Sequence, residues 1–158
     1  MNIKKQLEES IQKSSNKRLL EFAIEICERQ QNDYSIFHSL TKFGNPDKIQ
    51  TIIAKLKTGE VLELKKIEKW ICDLEKICPD SEDFPIAEVS YALNSVTSII
   101  DLLNFIKTKK REYILNISTY YLDSIYFKVC EAEKDDKEIE SEMKSEMSSQ
   151  IEFLNNCL

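Results

Sequence analysis

The chain has one histidine, His38, which stands close to Tyr34 and Phe37 and a few residues beyond Glu28 and Arg29. A lone histidine works as a general base only when a nucleophile or an acid is held within hydrogen-bond reach. An enzyme built on this chain would have to draw on Glu28, Arg29, Tyr34 and His38, and nothing in their spacing makes them converge. Glu25 and Arg29 are spaced to pair along one helix face. A buried network of Glu28, Arg29 and Tyr34 is the alternative, and such networks more often fix packing than perform chemistry. The expectation is therefore no catalytic residue and no enzymatic activity.

Metal and cofactor chemistry finds equally little support. The five cysteines are Cys27, Cys72, Cys78, Cys130 and Cys157, an odd number without a C-x-x-C pair. One histidine and scattered cysteines supply no zinc set at recognised spacing. The interval from Cys72 to Cys78 does not keep both on one helical face. They read as free thiols of a reducing cytosol rather than a disulfide framework. Asp80, Glu82 and Asp83 group three carboxylates, but without a calcium-loop pattern, and a helix start accounts for them. Gly44 and Gly59 are isolated, so no phosphate-cradling loop exists. No metal and no cofactor is expected.

What remains is charge. Eight acids and three lysines lie between Glu131 and Glu146, a local balance of −5 out of −6 for the whole chain. A concentrated field can steer a basic partner where a diffuse one cannot. The acidic balance argues against nucleic acid and against an anionic membrane, since both need a cationic surface. The basic run Lys107-Thr108-Lys109-Lys110-Arg111 lacks the aromatics of a nucleic-acid platform and suits a helix C-terminus.

The elements that must position these residues are helical. Two glycines and three prolines in 158 residues leave too few turn formers for a sheet protein. Leu19, Leu20, Ala23, Ile26 and Cys27 recur at helical spacing, as do Ile49, Ile52, Ile53 and Leu56, and then Ile67, Trp70, Ile71, Leu74 and Ile77. Asn45-Pro46 reads as an N-cap followed by proline at the first helical position. Asp80 to Pro85 reads as the start of another helix. The spacing predicts seven or eight helices, at about 2–13, 17–31, 34–42, 46–57, 63–77, 84–107, 111–133 and 136–156. The helices over 84–107 and 111–133 are apolar around much of their circumference. They are expected to form a central antiparallel hairpin within an all-α, single-domain bundle covering 1–158.

The last helix sharpens the charge argument. Ile139, Met143, Met147, Ile151 and Leu154 form a docking stripe. Glu131, Asp135, Glu138, Glu142 and Glu146 form a second ridge, roughly 130° around, if the helix runs unbroken past Asp135. Glu133–Lys137 and Glu140–Lys144 are in the favourable i,i+4 order, whereas Glu142–Glu146 is a like-charge pair.

Several segments, taken in order, resemble a known family. They are Leu20-Glu21-Phe22-Ala23-Ile24-Glu25-Ile26-Cys27-Glu28-Arg29 with Tyr34 and Phe37; Gly44-Asn45-Pro46-Asp47; Ile77-Cys78-Pro79-Asp80-Ser81-Glu82-Asp83-Phe84; Tyr91-Ala92-Leu93-Asn94-Ser95; and Leu122-Asp123-Ser124. The chain resembles the YjaG-like bacterial proteins from about Leu20 to Leu154. It departs from them at Gln30-Gln31-Asn32 and in its more acidic last helix. The resemblance implies an all-helical, cytoplasmic protein of unknown function, and it implies no catalytic residue.

These readings lead to a small acidic cytoplasmic binding protein. Its concrete form is an immunity protein that neutralises a basic, nuclease-type bacterial toxin by blocking the cleft the toxin needs for RNA or DNA. Glu131, Asp135, Asp136, Glu138 and Glu142 are the expected contacts, with Asp80, Glu82 and Asp83 as a second patch. The alternative is a YjaG-like scaffold or adaptor acting as a homo-oligomer.

Overall fold

The computed structural model describes residues 2–156, so Cys157 lies outside the described residues. Among the described residues seven α-helices follow one another, α1 (Ile3–Lys13), α2 (Asn16–Thr41), α3 (Pro46–Lys57), α4 (Leu64–Ile77), α5 (Glu88–Thr108), α6 (Glu112–Glu131) and α7 (Asp136–Asn155). A single 3-10 turn over Ser81–Asp83 precedes α5, and no strand occurs among the described residues.

Side-chain caps set most helix starts. The oxygens of Asn2, Ser15, Asn45 and Asp135 accept from the backbone N–H groups of Lys4, Arg18, Lys48 and Glu138. These bonds satisfy donors that have no partner within the first helical turn. α3 matches its sequence reading closely, with Pro46 in the first turn and Ile49, Ile52, Ile53 and Leu56 all buried.

Three boundaries differ from the sequence reading. The helices expected at 17–31 and 34–42 are one 26-residue helix, α2. No glycine or proline interrupts it, and burial of Gln30, Asp33 and Tyr34 carries it through the polar stretch. α5 begins at Glu88 rather than near residue 84, because Phe84 before Pro85 is extended (φ −134°, ψ 108°), as the residue before a proline prefers. Asp80 caps only the 3-10 turn. α6 ends at Glu131, and Glu133 takes a left-handed φ of 54° in the turn before α7.

α5 is the most buried helix, with eleven buried residues. It pairs antiparallel with α6, through Asn94 to Ser124 at 2.9 Å near one end and Asn116 to Asp101 at 3.2 Å near the other. The expected hairpin is therefore present. α2 shares the centre with it, packing on α5 most extensively and also on α3, α6 and α7. α5 is long and apolar enough to cross a membrane by length and composition, and 61% of its apolar stretch is buried inside the bundle. Core helices of soluble folds have that same character.

α7 docks chiefly on α1, then on α6 and α2. Leu154 is buried, while Met147 and Ile151 pack against the core. Arg18 of α2 stacks over the Phe153 ring at 4.1 Å and donates from Nε to the Phe153 carbonyl at 2.8 Å. Ser118 of α6 donates to Gln150 Oε1 at 2.5 Å in the interior. The basic run after α5 divides its work. Lys109 closes α5 in a left-handed conformation, and Lys107 pairs with Glu68. Arg111 crosses to α1 and donates to the carbonyls of Ile11 at 2.8 Å and Ser14 at 2.5 Å.

Candidate functional site

The four residues an enzyme would need are committed to separate partners. Glu28 pairs with Lys57 of α3 at 2.6 Å. Arg29 pairs with Glu25 at 3.3 Å and with Glu146 of α7 at 3.7 Å. Tyr34 is fully buried; its hydroxyl donates to the Ile77 carbonyl at 2.7 Å and accepts from the Asn45 N–H at 3.3 Å. His38 donates from Nδ1 to the Phe43 carbonyl at 2.8 Å. Nothing groups these side chains around one opening. No group of three or more His, Cys, Asp or Glu side chains is placed to hold a metal ion among the described residues.

Tyr34 and its neighbours form a structural knot instead. Phe37 meets Phe84 edge-on at 5.0 Å, Phe43 meets Phe84 at 5.3 Å, and Tyr34 meets Phe37 at 6.3 Å. These rings join the end of α2, the 42–45 turn and the segment before α5. Gly44 lies directly over the Tyr34 hydroxyl at φ 83°, where a Cβ would fall 1.7 Å from that oxygen. The Tyr, Gly-Asn-Pro and Pro-Asp-Ser-Glu-Asp-Phe segments of the sequence are therefore accounted for by packing.

The interior between α2, α5 and α6 is more polar than the sequence pattern indicates. The Gln30 amide and the hydroxyls of Ser95 and Ser98 are buried without a hydrogen-bond partner in the protein. Asp101 donates nothing as a carboxylate but accepts from Asn116, and burial pushes its carboxyl above the usual range. The Cys27 thiol is raised well above normal, first by burial and then by the Asp101 charge, so it is an inert thiol. Cys72 and Cys130 are exposed free thiols.

The acidic residues divide into two behaviours. The unbroken ridge expected from Glu131 to Glu146 does not form, because the chain turns between α6 and α7 and Asp135 is spent as an N-cap. Glu142 is paired with Lys134. Glu146 is turned inward, with only 16% of its side chain exposed, beside Arg29 and the Gln150 amide. Burial and then the Glu146 charge raise the Tyr121 phenol nearby. Glu140 pairs with Lys144 as its spacing predicts, at 3.0 Å. Glu131, Asp135, Asp136 and Glu138 remain exposed. So do Asp80, Glu82 and Asp83 around the 3-10 turn. Because α5 and α6 are antiparallel, the segment before α5 and the turn after α6 leave the hairpin at the same end.

That end also carries features that reading the charge pattern missed. Tyr126 and Phe127 are about half exposed and pack against each other edge-on at 5.7 Å. Beside them is an open cleft of about 350 Å³, lined by Ala87, Ser90, Tyr91, Phe127, Cys130 and Glu131. Tyr91 is 7% exposed, and its hydroxyl is sealed from solvent beside the Glu131 carboxylate. Burial, and after it the neighbouring Glu131 carboxylate, raise its phenol well above the ordinary value. Behind the ring, Lys128 sits 5.0 Å from its centroid and pairs with Asp33 at 2.6 Å. One signal for the exposed aromatics was present in the sequence. On a helix whose apolar stripe runs through Tyr121, Leu122, Ile125 and Val129, Tyr126 and Phe127 fall off the stripe at 100° per residue.

The profile of a family described as "Protein of unknown function (DUF416)" matches residues 5–158. A crystal structure of a DUF416 family protein from Shewanella baltica OS155 is similar, with a TM-score of 0.79 and 23% identity; the match covers 98% of this chain and 84% of that one. At that identity the likeness concerns the fold. No curated protein matches the chain.

Proposed function

The chain belongs to the DUF416 family, whose function is unknown, and from that premise we propose that it is a small acidic cytoplasmic binding protein, in concrete form an immunity protein that covers the cleft of a basic, nuclease-type toxin. The observation that carries this reading is the run of exposed Glu131, Asp135, Asp136 and Glu138 at the end of α6 and the start of α7, close in sequence to exposed Tyr126 and Phe127; Asp80, Glu82 and Asp83 before α5 are exposed as well. Aromatic anchors within a charged rim are the usual composition of a protein-binding surface. The thiols of Cys27, Cys72, Cys78 and Cys130 are all free, which suits a reducing compartment. The test uses a nuclease-toxin domain encoded beside this gene, with nuclease inhibition and binding followed against salt. Asp136→Lys combined with Glu138→Lys is expected to weaken binding by about ten-fold or more at low salt, mainly through the association rate. Binding that ignores both salt and the double change, or a gene without any toxin neighbour, removes this reading.

A second reading, a YjaG-like scaffold, has one observation in its favour. Val61 is 99% exposed and Leu64 is more than half exposed, and both line a cleft with Leu20, Leu56, Leu62 and Ile106 that Glu60, Lys107 and Lys109 also border. On this reading the face is covered by a second copy of the chain. Light scattering at micromolar concentration is then expected to give a dimer mass that Val61→Asp returns to the monomer. A monomer in the wild-type protein excludes the scaffold.

A further inference from the structure

We infer that the seam between α2 and α5 is a binding site for ordered water, which bridges the side-chain amide of Gln30 to the hydroxyls of Ser95 and Ser98. The inference concerns the interior and goes beyond both readings of the surface. It starts from four polar atoms, Nε2 and Oε1 of Gln30 and the Oγ atoms of Ser95 and Ser98, which are sealed from solvent and make no hydrogen bond to the protein. All three residues are 0% exposed. A buried amide or hydroxyl left alone carries its whole desolvation cost, and native interiors leave few such groups unserved.

The register of the two helices brings these side chains together. α2 packs on α5 more extensively than on any other helix. The Asp101 charge reaches the Cys27 thiol, and the Asp33 charge reaches the Tyr91 phenol. α2 therefore runs antiparallel to α5, with residue 27 near 101 and residue 33 near 91. Gln30 lies midway between Cys27 and Asp33, which sets it opposite the stretch that holds Ser95 and Ser98. Tyr91, Ser95, Ser98 and Asp101 follow one another at steps of four, three and three, so they share one face of α5.

The chemistry of the four atoms selects the ligand. The Gln30 carbonyl oxygen accepts, its amide nitrogen donates, and each serine hydroxyl can do both. A ligand that serves them has to donate and accept at once. It has to be uncharged, since all three side chains are neutral and an uncompensated ion in the interior costs far more than a dipole. It has to be small, since none of the three residues reaches the surface. Water meets all three conditions, and an internal water is typically held by two to four polar partners, as this seam provides.

The test joins a high-resolution crystal structure of the full chain to a mutant cycle followed by urea unfolding. The structure is expected to show a water within hydrogen-bond distance of the Gln30 amide and of at least one of the two serines. Gln30→Met keeps the length of the side chain and removes both its polar groups, and its structure is expected to lack that water. Ser95→Ala combined with Ser98→Ala is expected to lower the folded-to-unfolded ratio about five-fold more in the wild type than in the Gln30→Met background, because the shared water is already gone there. The comparison between backgrounds cancels the apolar gain of methionine and the helix preference of alanine. A dry seam, a direct bond from Gln30 to a serine, or serine changes that cost the same in both backgrounds overturn the inference. The wild-type crystal structure decides the matter by itself if the Gln30→Met chain does not fold.

Discussion

Gly44→Ala is expected to destabilise the protein by about 3 kcal/mol or more, through a left-handed backbone and a steric clash acting together. Gly44 has a φ of 83°, and its added methyl would fall 1.7 Å from the Tyr34 hydroxyl and 2.8 Å from Cζ of that ring. An alanine in this conformation costs about 1–2 kcal/mol before any contact is counted. Moving the Tyr34 ring away forfeits its bonds to Ile77 and Asn45, each worth about 1 kcal/mol net. For a chain of this length the expected fall in thermal midpoint is on the order of 6–12 °C. Circular dichroism melting measures it. The cause is isolated by repeating the change in a Tyr34→Phe background, where the closest clashing atom is absent. Gly44→Ala then costs less than in the wild type, and an equal cost in both backgrounds would show that Tyr34 is not the obstacle.

Phe37→Ala is expected to cost about 3–5 kcal/mol, the range for emptying a buried phenylalanine site. Phe37 is fully buried and touches the rings of Tyr34, Phe43 and Phe84. Those rings come from three separate stretches of chain, so neighbours cannot easily close the void from one side. Phe127→Ala supplies the contrast, because that ring is 49% exposed and its loss is expected to change stability by no more than about 0.5 kcal/mol. Urea unfolding of both variants distinguishes a packing aromatic from a presented one. Similar losses for the two would contradict both assignments.

How far the sequence could be read depended on whether a feature was local. The Asn45-Pro46 cap and the four apolar positions of α3 were legible because cap chemistry and helical period act within a few residues. The continuity of α2 was not, because Gln30 and Asp33 are polar residues held inside by tertiary packing. The turn between α6 and α7 was hidden for another reason. It places Glu133 at a positive φ that glycine normally occupies, so no turn residue announces it. The charge ridge failed at that turn, while its members Glu131, Asp135 and Glu138 are exposed, on the side the spacing gave them. The cleft was beyond reach altogether. Tyr91 and Phe127 belong to different helices, and they meet only through the antiparallel register of α5 on α6.

The docking of α7 on α1 has a consequence for the chain while it is being made. α1 packs chiefly against α7, and Ser14 at its end lies within 3.5 Å of the Leu154 carbonyl. Leu7 and Ile11, buried in the finished protein, therefore lack their main cover until α7 has left the ribosome. At common rates of synthesis that interval is on the order of ten seconds. α1 is made well before the helix that shelters it, and it is where a nascent-chain chaperone has much to protect.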